Sequence, residues 1–413
     1  MNILWITNNV LPELAEETGL ETSSSGSWLI DLSQKLSESS NINLAIATVA
    51  GNEYKKVKVR NITYYLLPGN GRNMLFYTKK YERLWEKIAE DFNVDIVHLH
   101  GTEYSHGLSF LRSNPHIKAV VSVQGIISRI AEVYFDGLPK CFSLRYFTIS
   151  EILKMNNNFA KALLYKHNAK YEREIFKRVS YANTVNYWDT SWTKEFNPNI
   201  KCFHLEYNLR QAFYSSEKWN INKIIRHRIF TNPGGDSIKG LHILCKAIAI
   251  VKKEYPDVTL VVPGKNIIEN IQSGYDKYIM HLISELDIET NILFVGRLSE
   301  TEMLQHMLKS NAVVIPSAIE GTSLVLREAM YVGVPCIASF RGGMADFIAD
   351  KEDGFLYDFS EVPYLANRIK EIFSSDSIAK KLSKNAIIKA ETAHNRDKNI
   401  KDCIDMYQYI YED

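Results

Sequence analysis

Pro316-Ser317-Ala318-Ile319-Glu320-Gly321-Thr322-Ser323-Leu324-Val325-Leu326-Arg327-Glu328-Ala329-Met330 is the stretch whose reading decides the fold. Just before it, Ala312-Val313-Val314-Ile315 is a short run rich in β-branched residues, as expected of a buried parallel strand. Just after its loop, Val325, Leu326, Ala329, Met330 and Val332 recur at helical spacing until Gly333 and Pro335 stop the helix. The stretch is therefore strand, loop, helix. Glu320 stands in the loop ahead of small residues, and Glu328 stands two turns into the helix, beside its apolar face.

That order of residues has a chemical consequence. The first N–H groups of a helix lack intrahelical partners, and the dipole there is positive. Gly321, Thr322, Ser323 and Leu324 let an anion approach those amides, which makes the loop a site for a diphosphate. The flanking carboxylates of Glu320 and Glu328 accept hydrogen bonds from vicinal hydroxyls. A diphosphate with hydroxyl-rich groups on both sides describes a nucleotide sugar. The plainer reading is an ordinary strand-loop-helix unit carrying two surface glutamates.

Two glutamates separated by seven residues, then Ala-Met-x-x-Gly-x-Pro-x-Ile-Ala-Ser and Gly342-Gly343, resemble the family 4 retaining glycosyltransferases. The resemblance implies that Glu320 contacts the donor sugar and that Glu328 holds the nucleotide ribose. It implies the GT-B fold: two doubly wound α/β Rossmann-like domains facing across a central cleft. The family's aromatic-Gly after Glu-Gly is replaced here by Thr322-Ser323.

Composition agrees with a globular protein of this size. The 413 residues suffice for two cores, and 46% hydrophobic with 23% charged residues is an ordinary balance. A formal net charge of +1 gives no general attraction to nucleic acid. Cys141, Cys202, Cys245, Cys336 and Cys403 are scattered, without a C-x-x-C pair, and read as buried thiols in a reducing compartment. No secretory pattern opens the chain, and no stretch approaches the roughly 18 apolar residues of a membrane span. The expected location is cytoplasmic, extending to the inner face of a membrane.

Working outward, Ile3-Leu4-Trp5-Ile6 is a buried strand followed by a long polar loop through Ser23-Ser24-Ser25-Gly26-Ser27. A dinucleotide fold would need G-x-G-x-x-G tight against this strand, and that pattern is absent. In the family this loop carries a Gly-Gly that approaches the donor diphosphate; only Gly26 matches. Further strands are expected at Leu44–Val49, Ile62–Leu67, Asp95–Leu99 and Ala119–Val123, with Tyr181–Val185 and Cys202–Leu205 completing the first sheet.

His98-Leu99-His100-Gly101-Thr102-Glu103-Tyr104-Ser105-His106 ends one of these strands. Three histidines so close raise a metal site, but no carboxylate or Cys follows at zinc-like spacing. The expectation is no metal, with His100, Glu103 and His106 on the acceptor side of a cleft at the strand ends. The next strand ends in Gln124-Gly125, where many family members carry His-Gly near the reacting carbon. A catalytic role at this position falls to Gln124.

From Lys118 to Arg178 there are 11 Lys/Arg against 5 Asp/Glu. Solvated helix faces explain many such surpluses; contact with an anionic membrane is the sharper reading. Glu206-Tyr207-Asn208-Leu209-Arg210 follows as a crossover.

A second repeat starts at strand His227–Thr231, continues through Val258–Val262 and Ile292–Val295, and includes the opening stretch. The family places an Arg, then Lys-Gly five residues on, against the diphosphate. Lys239-Gly240 matches, and Gly234 stands where the Arg would be, with Arg297 a weak substitute. No D-x-D motif occurs. The expected domains are 1–215, joined by a returning C-terminal helix at about 395–413, and 216–394. The first binds the acceptor, a glycan or lipid-linked glycan, and the second binds the nucleotide-sugar donor without metal or other cofactor. The implied activity is retaining, hexosyltransferase-like sugar transfer in cell-surface polysaccharide synthesis. A nucleotide-sugar isomerase and an idle glycan-binding scaffold are the alternatives on this fold.

Overall fold

The computed structural model describes residues 1–22, 26–154, 156–232 and 235–413. The chain divides into two compact α/β units: 1–128 with 164–208 and 394–413, and 129–163 with 209–393.

The first unit is built on eight strands: β1 (Asn2–Ile6), β2 (Asn43–Val49), β3 (Lys55–Val59), β4 (Ile62–Leu67), β5 (Ile96–His100), β6 (Lys118–Ser122), β7 (Tyr181–Asn183) and β8 (Lys201–Phe203). Their order is β3-β4-β2-β1-β5-β6-β7-β8, and every pair is parallel except β3 with β4. Successive side chains of a strand point to opposite faces, and both faces here are covered. Leu4 and Ile6 enter one core, with Trp85, Phe110 and Phe176, while Ile3 and Trp5 enter the other, with Leu29, Met406 and Tyr407. The helix Arg396–Glu412 closes that second face: the Tyr407 hydroxyl accepts from Trp5 Nε1 at 2.8 Å, and Arg396 pairs with Asp31.

The second unit holds β9 (Arg228–Thr231), β10 (Thr259–Val262), β11 (Ile292–Phe294), β12 (Ala312–Ile315), β13 (Cys336–Ser339) and β14 (Phe355–Tyr357). All are parallel, in the order β11-β10-β9-β12-β13-β14. Their residues are almost wholly buried, as in a sheet flanked by helices on both faces.

Strands β3, β13 and β14 are absent from the sequence reading. Strand β3, Lys-Lys-Val-Lys-Val, is a lysine-bearing edge, a device that discourages pairing with other chains. Residues 129–163, expected in the first domain, cluster with the second unit. Phe142 and Tyr146 pack on Tyr275 and Tyr278 in its core, and Arg341 reaches Asp136 at 2.5 Å. Three cysteines are buried, Cys202 is partly so, and Cys141 is exposed, contrary to a uniformly buried set.

Candidate active site

Strand β12 delivers the deciding loop. Glu320 meets Lys239 there, Nζ lying 2.8 and 3.0 Å from the two carboxylate oxygens. Backbone contacts force the meeting. Ala318 N–H donates to Ile238 C=O at 2.7 Å, stitching the turn Ser237–Lys239 to the end of β12. Gly240 has φ +72°, and a Cβ there would lie 1.8 Å from the Pro316 carbonyl oxygen. Only glycine accepts both that φ and that approach, which accounts for the Lys-Gly pair. On the far side, Gly343 N–H donates to Glu320 C=O at 2.9 Å, and a Cβ on Gly342 would lie 2.2 Å from the same oxygen. The Gly342-Gly343 pair thus clamps the backbone of Glu320.

The helix after the loop runs Leu324–Val332 and is capped by Ser323, whose hydroxyl accepts from Leu326 N–H. Gly321 and Thr322 lead into it and are partly open, while Ser323 is buried. Leu324 is the first helical residue, so its N–H belongs to the group that has no intrahelical acceptor.

Glu328 is the fifth residue of this helix and lies in the core rather than beside it. Arg210 holds it through two parallel contacts, Nε to Oε1 at 2.6 Å and Nη2 to Oε2 at 2.5 Å. Burial pushes the Glu328 carboxyl upward, and the Arg210 guanidinium opposes that shift. Arg210 has no motif signal: it sits in a crossover segment more than a hundred residues earlier. Arg297 is exposed and makes no ion pair with a described residue. Gly234, where the family Arg would stand, lies outside the described residues, as do Ser23, Ser24 and Ser25.

The first unit contributes a cavity of about 680 Å³ bordered by Asn8, Asn9, Trp28, Glu103, Tyr104 and Gln124. Gln124 and Glu103 therefore share one space. Gly26 touches its wall: φ is +89°, and a Cβ would lie 2.6 Å from Asn9 Nδ2. Glu103 is partly buried, with Oε2 shielded from solvent. Desolvation, with a smaller contribution from Glu172, raises its carboxyl from 4.5 to about 7.

Glu172, which sequence reading did not single out, lies close enough to Glu103 to act on its carboxyl. It accepts from Ile127 N–H at 2.6 Å, Ser128 N–H at 3.0 Å and Thr102 Oγ1 at 3.2 Å. It thereby caps the helix that follows Gln124-Gly125. The only signal would have been one more glutamate in a long polar helix.

His100 and His106 do not border this cavity. Both are buried, because β5 is covered on both faces and the helix Ser105–Ser113 packs inward. His100 stacks on His98, with ring centroids 4.0 Å apart, and borders a small void of about 20 Å³. Burial holds His98 at about 3 and His106 at about 4, and His100 falls well below the ordinary imidazole range. Each stays neutral at physiological pH. Among the described residues no three His, Cys, Asp or Glu side chains converge as a metal site. No helix among them is long and apolar enough to cross a membrane.

Two parallel-sheet Rossmann-like units with this loop define the GT-B fold, and solved structures share it across the whole chain. Sucrose-phosphate synthase from Thermosynechococcus elongatus superposes with a TM-score of 0.74 at 14% identity, covering 100% of this chain and 99% of its own. Anabaena Alr3699/HepE in complex with UDP-glucose gives 0.69 at 16% identity, over 99% of this chain and 100% of its own. WaaG, a glycosyltransferase involved in lipopolysaccharide biosynthesis, gives 0.67 at 15% identity, over 97% and 99%.

Residues 234–389 match the family model "Glycosyl transferases group 1". The model match lies within the second unit, and the full-length likeness to the solved structures shows the GT-B fold. Among curated relatives, spore coat protein SA of Bacillus subtilis (strain 168) is 26% identical over 174 residues, 41% of this chain and 46% of that protein. The D-inositol 3-phosphate glycosyltransferase of Corynebacterium glutamicum (strain R) is 30% identical over 154 residues, 37% of each. The matched stretch spans less than half of either relative.

Proposed function

We propose that this chain is a retaining, metal-independent glycosyltransferase that moves a hexosyl group from a nucleotide sugar to a glycan or lipid-linked glycan acceptor in cell-surface polysaccharide synthesis. It works in the cytoplasm, against the inner face of an anionic membrane. The observation that carries the reading is the Lys239–Glu320 pair beside the helix that starts at Leu324.

Without donor, the ammonium and the carboxylate neutralise each other. A donor diphosphate offers Lys239 a denser anionic partner, and the helix N-terminus adds to its hold. Glu320 is then free to accept from donor sugar hydroxyls. As the glycosidic bond breaks, charge grows on the leaving diphosphate and meets a cation already in place. We assign the ribose hydroxyls to Glu328; its carboxylate is buried against Arg210, so the hydroxyls reach it by taking over part of that pairing. Gln124 cannot titrate; it orients donor sugar or acceptor hydroxyl by hydrogen bonds, and the leaving diphosphate takes the acceptor proton.

The likeness to a protein solved with UDP-glucose makes UDP-sugars the first donors to test. Ligand binding raises apparent stability by mass action. One nucleotide-sugar class among UDP-, GDP- and ADP-sugars should raise the melting temperature, and Lys239→Ala should remove the effect. Equal melting with every sugar would refute donor binding.

A further inference from the structure

A surface helix normally turns carbon inward and charge outward. The short helix Ile149–Leu153 does the reverse. Its carboxylate, Glu151, is buried: it accepts from Thr148 N–H in a capping box and from Gly274 N–H at 2.7 Å, which anchors the helix to the second unit. Ile149, Ile152 and Leu153 face solvent, Ile149 at 76% and Leu153 at 79% exposure. Nearby in sequence Leu144 is 83% exposed, and Phe147 and Phe159 are exposed as well. Thr148 Oγ1 reaches Gln272 C=O at 3.5 Å, tying in a loop on which Ile268 and Ile271 are also exposed. A monomer seldom leaves so many large apolar side chains bare in one region without a partner.

Charge decides which partner. Lys140, Arg145 and Lys154 are exposed and Lys161 partly so, while the only carboxylate between residues 140 and 163 is the buried Glu151. The tied-in loop adds one acid, Glu269. A second copy docking this face on itself would set cation against cation. An anionic bilayer satisfies both properties at once: acyl chains take the apolar side chains, and headgroups take the lysines and arginine.

We infer that the described residues among 142–163 form an interfacial anchor that inserts Leu144, Ile149, Ile152 and Leu153 into an anionic leaflet. The inference rests on the proposed function only in supposing a membrane-held acceptor. The whole chain is sedimented with phosphatidylcholine vesicles containing about a third phosphatidylglycerol, and with phosphatidylcholine alone. Binding to the anionic vesicles and weak binding to the neutral ones are expected. Ile149→Ser/Leu153→Ser should weaken anionic-vesicle binding at least about tenfold. Lys140→Ala/Arg145→Ala/Lys154→Ala should weaken it too and flatten its salt dependence. Unchanged binding in the serine variant overturns the inference. So does absence of wild-type binding, and self-association that Leu153→Ser abolishes would then make the face an interface between copies. Neither donor nor acceptor is present, so a failed donor screen with intact vesicle binding separates this inference from the catalytic reading.

Discussion

Arg210→Ala tests the least anticipated feature of the site. Glu328 is fully buried, and its guanidinium partner has a side chain only 16% exposed. Removing one member of such a pair leaves an uncompensated buried charge, at a cost of about 3–5 kcal/mol. Domain stabilities are about 5–15 kcal/mol, so a large part of the second unit's margin goes. The partial exposure of Arg210 lets water approach the truncated site and favours the lower end, about 3 kcal/mol.

The sign of the pH dependence follows from Glu328. Burial already raises its folded-state carboxyl above the ordinary value of 4.5, with Arg210 opposing. Without Arg210 the folded value rises further. The folded state then binds more protons than the unfolded state over a wider range, so stability is lost as pH rises through that range. The gap between wild type and Arg210→Ala should be larger near pH ~8 than near pH ~5, because it shrinks as falling pH protonates the raised carboxyl. Urea denaturation followed by circular dichroism at both pH values measures it. Arg210→Met/Glu328→Leu should recover most of the loss, because replacing both charges by apolar groups is often neutral or stabilising. A cost below about 1 kcal/mol at pH ~8, or one equal at both pH values, would refute the assignment of a buried, paired charge.

Three further outcomes are expected. Lys239→Ala should lower donor affinity and turnover together, whereas Glu320→Ala should spare nucleotide diphosphate binding and slow turnover, the lost charged hydrogen bond costing about 1.5–3 kcal/mol; calorimetry with bare nucleotide and steady-state kinetics distinguish them. Glu103 holds its proton to about pH 7 in the fold against 4.5 ordinarily, so its contribution to stability is full below the lower value and lost as pH rises through the higher. Glu103→Gln should thus stabilise the protein near pH ~8 by up to about 3 kcal/mol and do little near pH ~4, as thermal melting would reveal. Gln124→Ala should slow turnover through lost positioning while Gln124→His is tolerated; because burial keeps His98, His100 and His106 neutral, His106→Asn should leave the pH–rate profile without a new feature near pH ~6.5.

The strand-loop-helix around Glu320 and the Lys-Gly before the helix at Leu241 were legible in sequence, because their cause is local. A β-branched run makes a buried strand and small residues open a helix N-terminus; why positions 240 and 342 must be glycine lies in the approach of Pro316 and Glu320, which the fold supplies. The doubly wound class was legible for the same reason: each repeat announces itself over about thirty residues. What tertiary structure alone decided depends on groups far apart in sequence. Arg210 finds Glu328, and Glu172 finds the amides after Gln124, through packing that no spacing rule encodes. His100 and His106 looked available at a strand end, yet a sheet covered on both faces buries them. The segment 129–163 follows the first sheet in sequence but packs with the second, since Phe142 and Tyr146 find their aromatic partners there. Local backbone chemistry sets which elements form; the burial of particular charges and rings follows from which elements come to lie against one another.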